Sequence, residues 1–214
     1  MNKTPTSTDW ILYADEQLIV INKPSGLLSV PGKSEQNKEC VLTHLHQTHP
    51  EALIVHRLDM DTSGIMVLAM NKQAHRSLSI QFQDRKVNKK YYALCAGKLL
   101  SNTGYVQLPM RCDWDRRPKQ IIDFIHGRSA QTHWQIMTQY ENHFSVELSP
   151  ITGRSHQLRL HMKSLGHPIL GDNLYADHAS IANYSRLMLH AGELEFSHPE
   201  TQQRLKITST PEFL

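Results

Sequence analysis

Apolar positions along this chain follow two periods, and the places where one gives way to the other mark the elements. Ala52-Leu53-Ile54-Val55 and Ile65-Met66-Val67-Leu68-Ala69-Met70 are unbroken apolar, β-prone runs bounded by breakers, the pattern of buried strands. Trp10–Tyr13 and Leu18–Ile21, split by Asp15-Glu16, read as a hairpin. Gln131–Gln139 and His143–Leu148 read as a second hairpin across Tyr140-Glu141-Asn142. Helical spacing predicts a short helix over 37–49 (Val41, Leu42, Leu45) and another over 71–83 (Ala74, Leu78, Phe82). A third spans 155–164, with Leu158, Met162 and Leu165 on its buried stripe and Gly166 suited to end it. A basic segment, Arg85 to Lys90, feeds a strand over Tyr91–Gly97, and residues 101–131 are turn-rich. Leu187–Leu189, Glu193–Phe196 and Arg204–Thr208 read as closing strands. Strands and helices mix without a βαβ rhythm, which predicts an α+β fold with a largely antiparallel sheet. With no internal repeat or linker, one domain is expected across 1–214, preceded by a polar arm over residues 1–8.

Composition narrows the function classes. The chain has 214 residues, 39% of them hydrophobic, enough for one large core or two small lobes. Its formal charge is only +3, so nucleic-acid binding must rest on local patches. Three widely spaced cysteines argue against a disulfide framework or a zinc site and suit a reducing compartment. The first nine residues are polar, without the apolar stretch of a signal peptide, and no apolar run reaches membrane-spanning length. A cytoplasmic enzyme is expected, acting as a monomer without membrane or metal. His44, His46 and His49 sit on the first predicted helix, but 44 and 46 do not share a face, so they read as a solvated surface.

Between the two buried runs lies His56-Arg57-Leu58-Asp59-Met60-Asp61-Thr62-Ser63-Gly64, a charged segment on a rigid scaffold. Arg57 and Asp59 are two apart and share a face if extended. An aspartate beside arginine keeps a depressed pKa, stays ionised, and acts as nucleophile or base. That suits chemistry at an anomeric carbon. A structural ion pair closing a turn is the plain alternative. An Asp59/Asp61 glycosidase pair lacks the apolar pocket its acid would need. Asn22 to Gly32, dense in Pro and Gly, reads from composition as a surface loop. Tyr91 and Tyr92 must face opposite sides of their strand. Around Trp114 stand Arg111, Arg116, Arg117 and Lys119, a mixture that fits either an RNA-facing loop or a solvated one. Arg154 opens the third helix, where a cation opposes the dipole and calls for a carboxylate or phosphate partner. No Gly-rich phosphate loop or nucleophile elbow is present, which disfavours cofactor-dependent chemistry.

HRLDMDTSG resembles the catalytic motif of the RluA family of pseudouridine synthases, and the resemblance extends over nearly the whole chain. Asn22-Lys23-Pro24-Ser25-Gly26 is similar to the family's first motif, Lys89-x-Tyr91-x-Ala93 to its tyrosine motif, and PITGRSHQLRLHMKSLGHPILGD to its third. Leu187-Met188-Leu189-His190-Ala191 is similar to its last. RCDWDRRPK, residues 111–119, resembles the subgroup that acts on a tRNA anticodon stem-loop and a ribosomal RNA hairpin, as does the expected lack of an S4-like domain. The resemblance implies a mixed, mainly antiparallel sheet flanked by helices and loops, with the active-site cleft across it. It implies an RNA-modifying isomerase without cofactor or metal, whose partner is tRNA, ribosomal RNA or both. Asp59 is then the catalytic carboxylate, Arg159 its partner, and Tyr91 the group stacked on the base. Arg57 fills the space of a flipped nucleotide and Leu189 floors the base. His56, Thr62, Arg154 and His156 complete the substrate contacts with Arg116, Arg117 and Lys119. A non-catalytic RNA-binding module and a base-releasing glycosidase remain the alternatives.

Overall fold

The computed structural model describes residues 7–32, 34–35 and 38–214. Residues 1–6 of the expected arm, and Asn37 at the start of the first expected helix, lie outside the described residues. The elements in chain order are β1 (Ile11–Ala14), β2 (Leu18–Lys23), α1 (Val41–Leu45), β3 (Leu53–Ile54), β4 (Ser63–Ala69), α2 (Lys72–Gln83) and β5 (Asn88–Ala96). They continue with β6 (Thr103–Gln107), β7 (Met110–Cys112), β8 (Gln120–Ile122), β9 (Gln131–Gln139) and β10 (His143–Pro150). The last are α3 (Gln157–Ser164), α4 (His178–Ala182), β11 (Leu189–Ser197) and β12 (Arg204–Thr208). The chain divides into two compact units. The first runs to Lys89 and resumes over Ala191–Pro211; the second takes Lys90–His190 and Glu212–Leu214.

In the first unit the strand order is β1-β2-β4-β11, with β12 antiparallel to β11 and β3 antiparallel to β4. Every residue of β4 is buried, as an apolar run without polar alternation requires. Ile65, Val67 and Ala69 form one cluster with Leu18 and Val20 of β2 and with Ala74 and Leu78 of α2. Each large aliphatic side chain buried there stabilises the fold by about 1.5–3 kcal/mol. Asn71 starts α2 by accepting the Ala74 amide at 2.8 Å. Helix α1 is shorter than its apolar spacing suggested, because the Cys40 cap and the Val41 amide bond to the Leu28 carbonyl fix its start.

In the second unit the order is β5-β10-β9-β6, each neighbour antiparallel. Tyr91 stands opposite Leu148 and Tyr92 opposite Glu147. The 101–131 stretch is less irregular than its turn residues suggested. Strand β6 pairs along β9, and β7 with β8 makes a separate two-stranded ribbon. These strands are three to five residues long, too short for a period of two to stand out. Helix α3 also departs from expectation: it is buried without interruption from Gln157 to Met162 rather than along one stripe. Its polar side chains find partners inside. The Gln157 amide donates to the Gln131 carbonyl and Thr132 Oγ1, and His161 Nδ1 lies 2.9 Å from Thr132 Oγ1.

Candidate active site

Residues 55–59 have no regular structure and hand over to a turn that β4 continues. The Thr62 amide closes that turn on the Asp59 carbonyl at 3.1 Å. Arg57 is exposed, Leu58 buried, Asp59 half-buried and Thr62 buried. The carboxylate thus stands at the mouth of a loop whose neighbours anchor it. Gly64, at the loop's end, has φ +113°, and a Cβ there would lie 2.3 Å from the Ala191 carbonyl oxygen of β11. Only glycine lets the backbones of β4 and β11 approach so closely at this point.

The loop after β2 clasps this turn. Lys23, at the end of a strand that is apolar through Ile21, is 0% exposed. Its Nζ donates to the carbonyls of Pro24 (2.8 Å), Leu27 (2.7 Å) and Met60 (2.9 Å), which uses all three ammonium protons. The Gly26 amide donates to the same Met60 carbonyl at 3.0 Å, and Ser25 Oγ to the Asp61 carbonyl at 2.7 Å. Ser29 Oγ bridges both backbone groups of Leu58, donating to its carbonyl at 2.8 Å and accepting its amide at 3.1 Å. Burial pulls the Lys23 ammonium down to about 7, against the attraction of the Asp61 and Asp59 carboxylates. The stretch that composition cast as a plain surface loop therefore clasps the Asp59 turn, and its lysine is a cation close enough to feel both carboxylates.

His56 is committed to the same scaffold. Its Nε2 accepts the Val67 amide of β4 at 3.1 Å, and its ring stacks on Phe82 with centroids 4.5 Å apart. Burial, with a smaller push from the Lys89 charge, takes the imidazole down to about 3. The folded-state pKa lies below the ordinary value of 6.5, so the unfolded chain binds the proton first. Stability contributed by neutral His56 is complete above pH 6.5 and is lost as pH falls through that value toward 3. From pH 7 to pH 5 the loss from this group is about 2 kcal/mol. Urea midpoints at the two pH values should fall for the wild type and fall less for His56→Asn, which keeps an acceptor but cannot titrate. Equal falls would contradict the assignment.

In the second unit Tyr91 packs against the cluster that holds Leu148, Leu158 and Leu189. Arg159, only 2% exposed, donates from Nε and Nη2 to the two oxygens of Asp172 at 2.8 and 2.6 Å. Asp172 is a carboxylate partner that sequence gave no means of naming. The same Asp172 oxygen that meets Nη2 also accepts the amides of Leu174 and Tyr175. The Arg159 guanidinium lies over the Tyr175 ring, 5.4 Å from its centroid. Tyr175 Oη accepts the Gln120 amide of β8 at 2.7 Å and stands 2.8 Å from His156 Nδ1. One tyrosine thereby joins the ribbon, the start of α3 and the arginine. His156 has φ +54° and stands at the start of α3 with its side chain turned to Tyr175 rather than to the helix's first amides. Arg154 is exposed and donates to the Ser129 carbonyl at 3.2 Å, a partner other than the carboxylate or phosphate its place suggested.

The ribbon holds the remaining predicted contacts. Trp114 is 67% exposed at its tip, and the Arg117 guanidinium lies over its ring at 4.7 Å from the centroid. Arg116 Nε donates to Asp113 at 2.7 Å, and the Lys119 amide and carbonyl close the tip on Arg116 and Asp113. An arginine stacked on an exposed indole offers one flat face and one charge, a surface suited to a base and its phosphate. The described residues hold no group of three or more potential metal ligands.

Residues 17–164 match the RNA pseudouridylate synthase family, and this chain belongs to it. Members are isomerases that convert uridine in RNA to pseudouridine. The chain is 50% identical over 191 residues to the dual-specificity RNA pseudouridine synthase RluA of Yersinia pestis, covering 89% of this chain and 93% of that one. It is 48% identical over 201 residues to the protein of the same name from Escherichia coli (strain K12), covering 92% of each. Among solved structures it is similar to human RNA pseudouridylate synthase domain containing 1, at 26% identity and a TM-score of 0.83 over 99% of this chain and 87% of that one. Human RNA pseudouridylate synthase domain containing 4 is 30% identical, with a TM-score of 0.77 over 96% and 90%. The α+β expectation and the family resemblance both hold.

Proposed function

We propose that this chain isomerises one uridine in structured RNA hairpins, a tRNA anticodon stem-loop and a 23S ribosomal RNA hairpin, and does so as a cytoplasmic monomer. The observation that carries the reading is Asp59, half-buried on a loop that Lys23, Ser25, Gly26 and Ser29 hold in place. Kinship with proteins named dual-specificity supports the two RNA classes, and the Trp114–Arg117 ribbon supports contact with unpaired bases. The three cysteines are free thiols, in keeping with a reducing compartment.

Arg and Lys side chains dock the hairpin by its phosphates, and the target uridine leaves the stack. Asp59 attacks or deprotonates the nucleoside, and the bond from C1′ to nitrogen breaks. The uracil turns and rejoins through carbon-5, whose proton passes to water. The family resemblance gives Tyr91 the role of stacking on the base and assisting that proton's removal, and Leu189 that of its floor. It makes Arg159, which Asp172 holds, the partner of the reacting carboxylate, and Arg57 the group that fills the space the base leaves. It counts His56, Thr62, Arg154 and His156 among the substrate contacts. The test uses tRNA carrying tritium on uracil carbon-5. One tritium should reach water for each uridine converted, with no free uracil. Released uracil would mark a base-releasing glycosidase, and retained tritium a binding module without chemistry.

A further inference from the structure

The ribbon β7–β8 is a two-stranded sheet of its own, and such a ribbon is marginal without outside anchors. At its base Met110 exchanges two backbone bonds with Arg128, at 3.0 and 2.9 Å. At its tip end a side chain holds it. Gln120 opens β8 directly after the tip that carries Trp114 and Arg117, and its amide donates to Tyr175 Oη at 2.7 Å. Tyr175 is only 6% exposed and packs with Met110, Ala130 and Leu160. Those apolar neighbours ask for a ring; the hydroxyl adds the bond to Gln120 and stands 2.8 Å from His156 Nδ1. The same residue meets Arg159. The Tyr175 amide donates at 3.1 Å to the Asp172 oxygen that accepts Arg159 Nη2 at 2.6 Å, and the guanidinium lies 5.4 Å from the ring centroid. Ribbon tip and arginine are thus tied to one side chain.

We propose that Tyr175 is a positioning residue that fixes the distance between the RNA-docking tip of the ribbon and Arg159. The inference rests on the RNA-isomerase reading above, in which Arg159 is the partner of the reacting carboxylate, and deepens it. RNA seated on Trp114 and Arg117 arrives in a register that the Gln120–Tyr175–Arg159 chain sets. An error of about 1 Å in such placement costs up to ~10²-fold in rate, whereas affinity, which the tip and phosphate contacts supply, changes little.

The experiment measures kcat and KM for tritium release from in vitro transcribed tRNA labelled on uracil carbon-5, below the thermal midpoint of every protein used. The proteins are the wild type, Tyr175→Phe, Trp114→Ala, the double variant and Gln120→Pro. Tyr175→Phe keeps the ring and removes the hydroxyl; it should lower kcat about tenfold with KM within about twofold of the wild type. Gln120→Pro cuts the same bond from its other partner, at the first residue of a strand, where proline is tolerated, and should reproduce that split. Trp114→Ala removes the stacking face and should raise KM about tenfold and lower kcat as well. In the double variant the rise in KM should persist while kcat falls no further than in Tyr175→Phe, because a tip no longer tied to Arg159 has no register to lose. A tyrosine that only stabilised the fold would lower the melting midpoint and leave kcat of the folded protein unchanged. Wild-type kcat in Tyr175→Phe or in Gln120→Pro would overturn the proposal. So would an unchanged kcat in Trp114→Ala, or kcat losses that multiply in the double variant. Failure of the parent reading has a separate signature: the wild type releasing no tritium.

Discussion

Asp59→Asn is expected to end turnover while leaving RNA affinity within about twofold, because the change removes a charge and keeps the shape. Loss of a reacting carboxylate costs ~10³-fold or more in rate. The fold should not suffer. The anchors of the loop are backbone groups of Leu58, Met60 and Asp61 and the Thr62 amide, none of which uses the Asp59 side chain. Tritium release and filter binding, run on the same preparation, separate chemistry from docking. Tritium release within tenfold of the wild type would remove Asp59 from the reaction. A lost affinity with an unchanged melting curve would make it a contact rather than a reactant.

Gly64→Ala carries the largest expected effect on stability. An alanine there must hold φ near +113°, and its Cβ would stand 2.3, 2.5 and 2.8 Å from the Ala191 oxygen, nitrogen and carbon. These are backbone atoms of a neighbouring strand and cannot swing aside. Left-handed strain and overpacking each cost about 1–3 kcal/mol, so a total of ~4 kcal/mol is expected from a fold whose net stability is typically 5–15 kcal/mol. Urea denaturation should show a much lower midpoint, and any soluble protein should have lost activity with it, since Gly64 ends the Asp59 loop. A midpoint within experimental error of the wild type would show that β4 and β11 part without cost.

Much of this was legible in the chain, and what was not has physical causes. Strand β4 and helix α2 announced themselves because an unbroken apolar run and a 3.6-residue stripe each imply one geometry. The Asp59 loop was legible for the opposite reason: charge set between two buried runs needs an explanation. Lys23 was missed because the strand LIVINK turns polar at Asn22-Lys23, and a lysine at such a strand end looks like the exit to solvent. Only a tight turn over Pro24–Leu27 and the distant Met60, which the fold brings up, set three carbonyls around it. Asp172 was missed because nothing local links it to Arg159, thirteen residues earlier, and Tyr175 because its hydroxyl bonds to Gln120 and His156, both distant in the chain. Helix α3 misled because burial of Gln157, Arg159 and His161 depends on partners that periodicity does not encode.

The Lys23 cage also decides where flexibility resides. A peptide segment tied through Met60 to that ammonium, and through Leu58 and Asp61 to Ser29 and Ser25, loses little freedom when a nucleic acid arrives. The entropy of forming the reactive complex then falls on the RNA, which must unstack and swing out a nucleotide. Uridines in strained or loosely stacked positions reach that state at the smallest cost, so a preference among them arises from the mechanics of the RNA as much as from any base read by the protein.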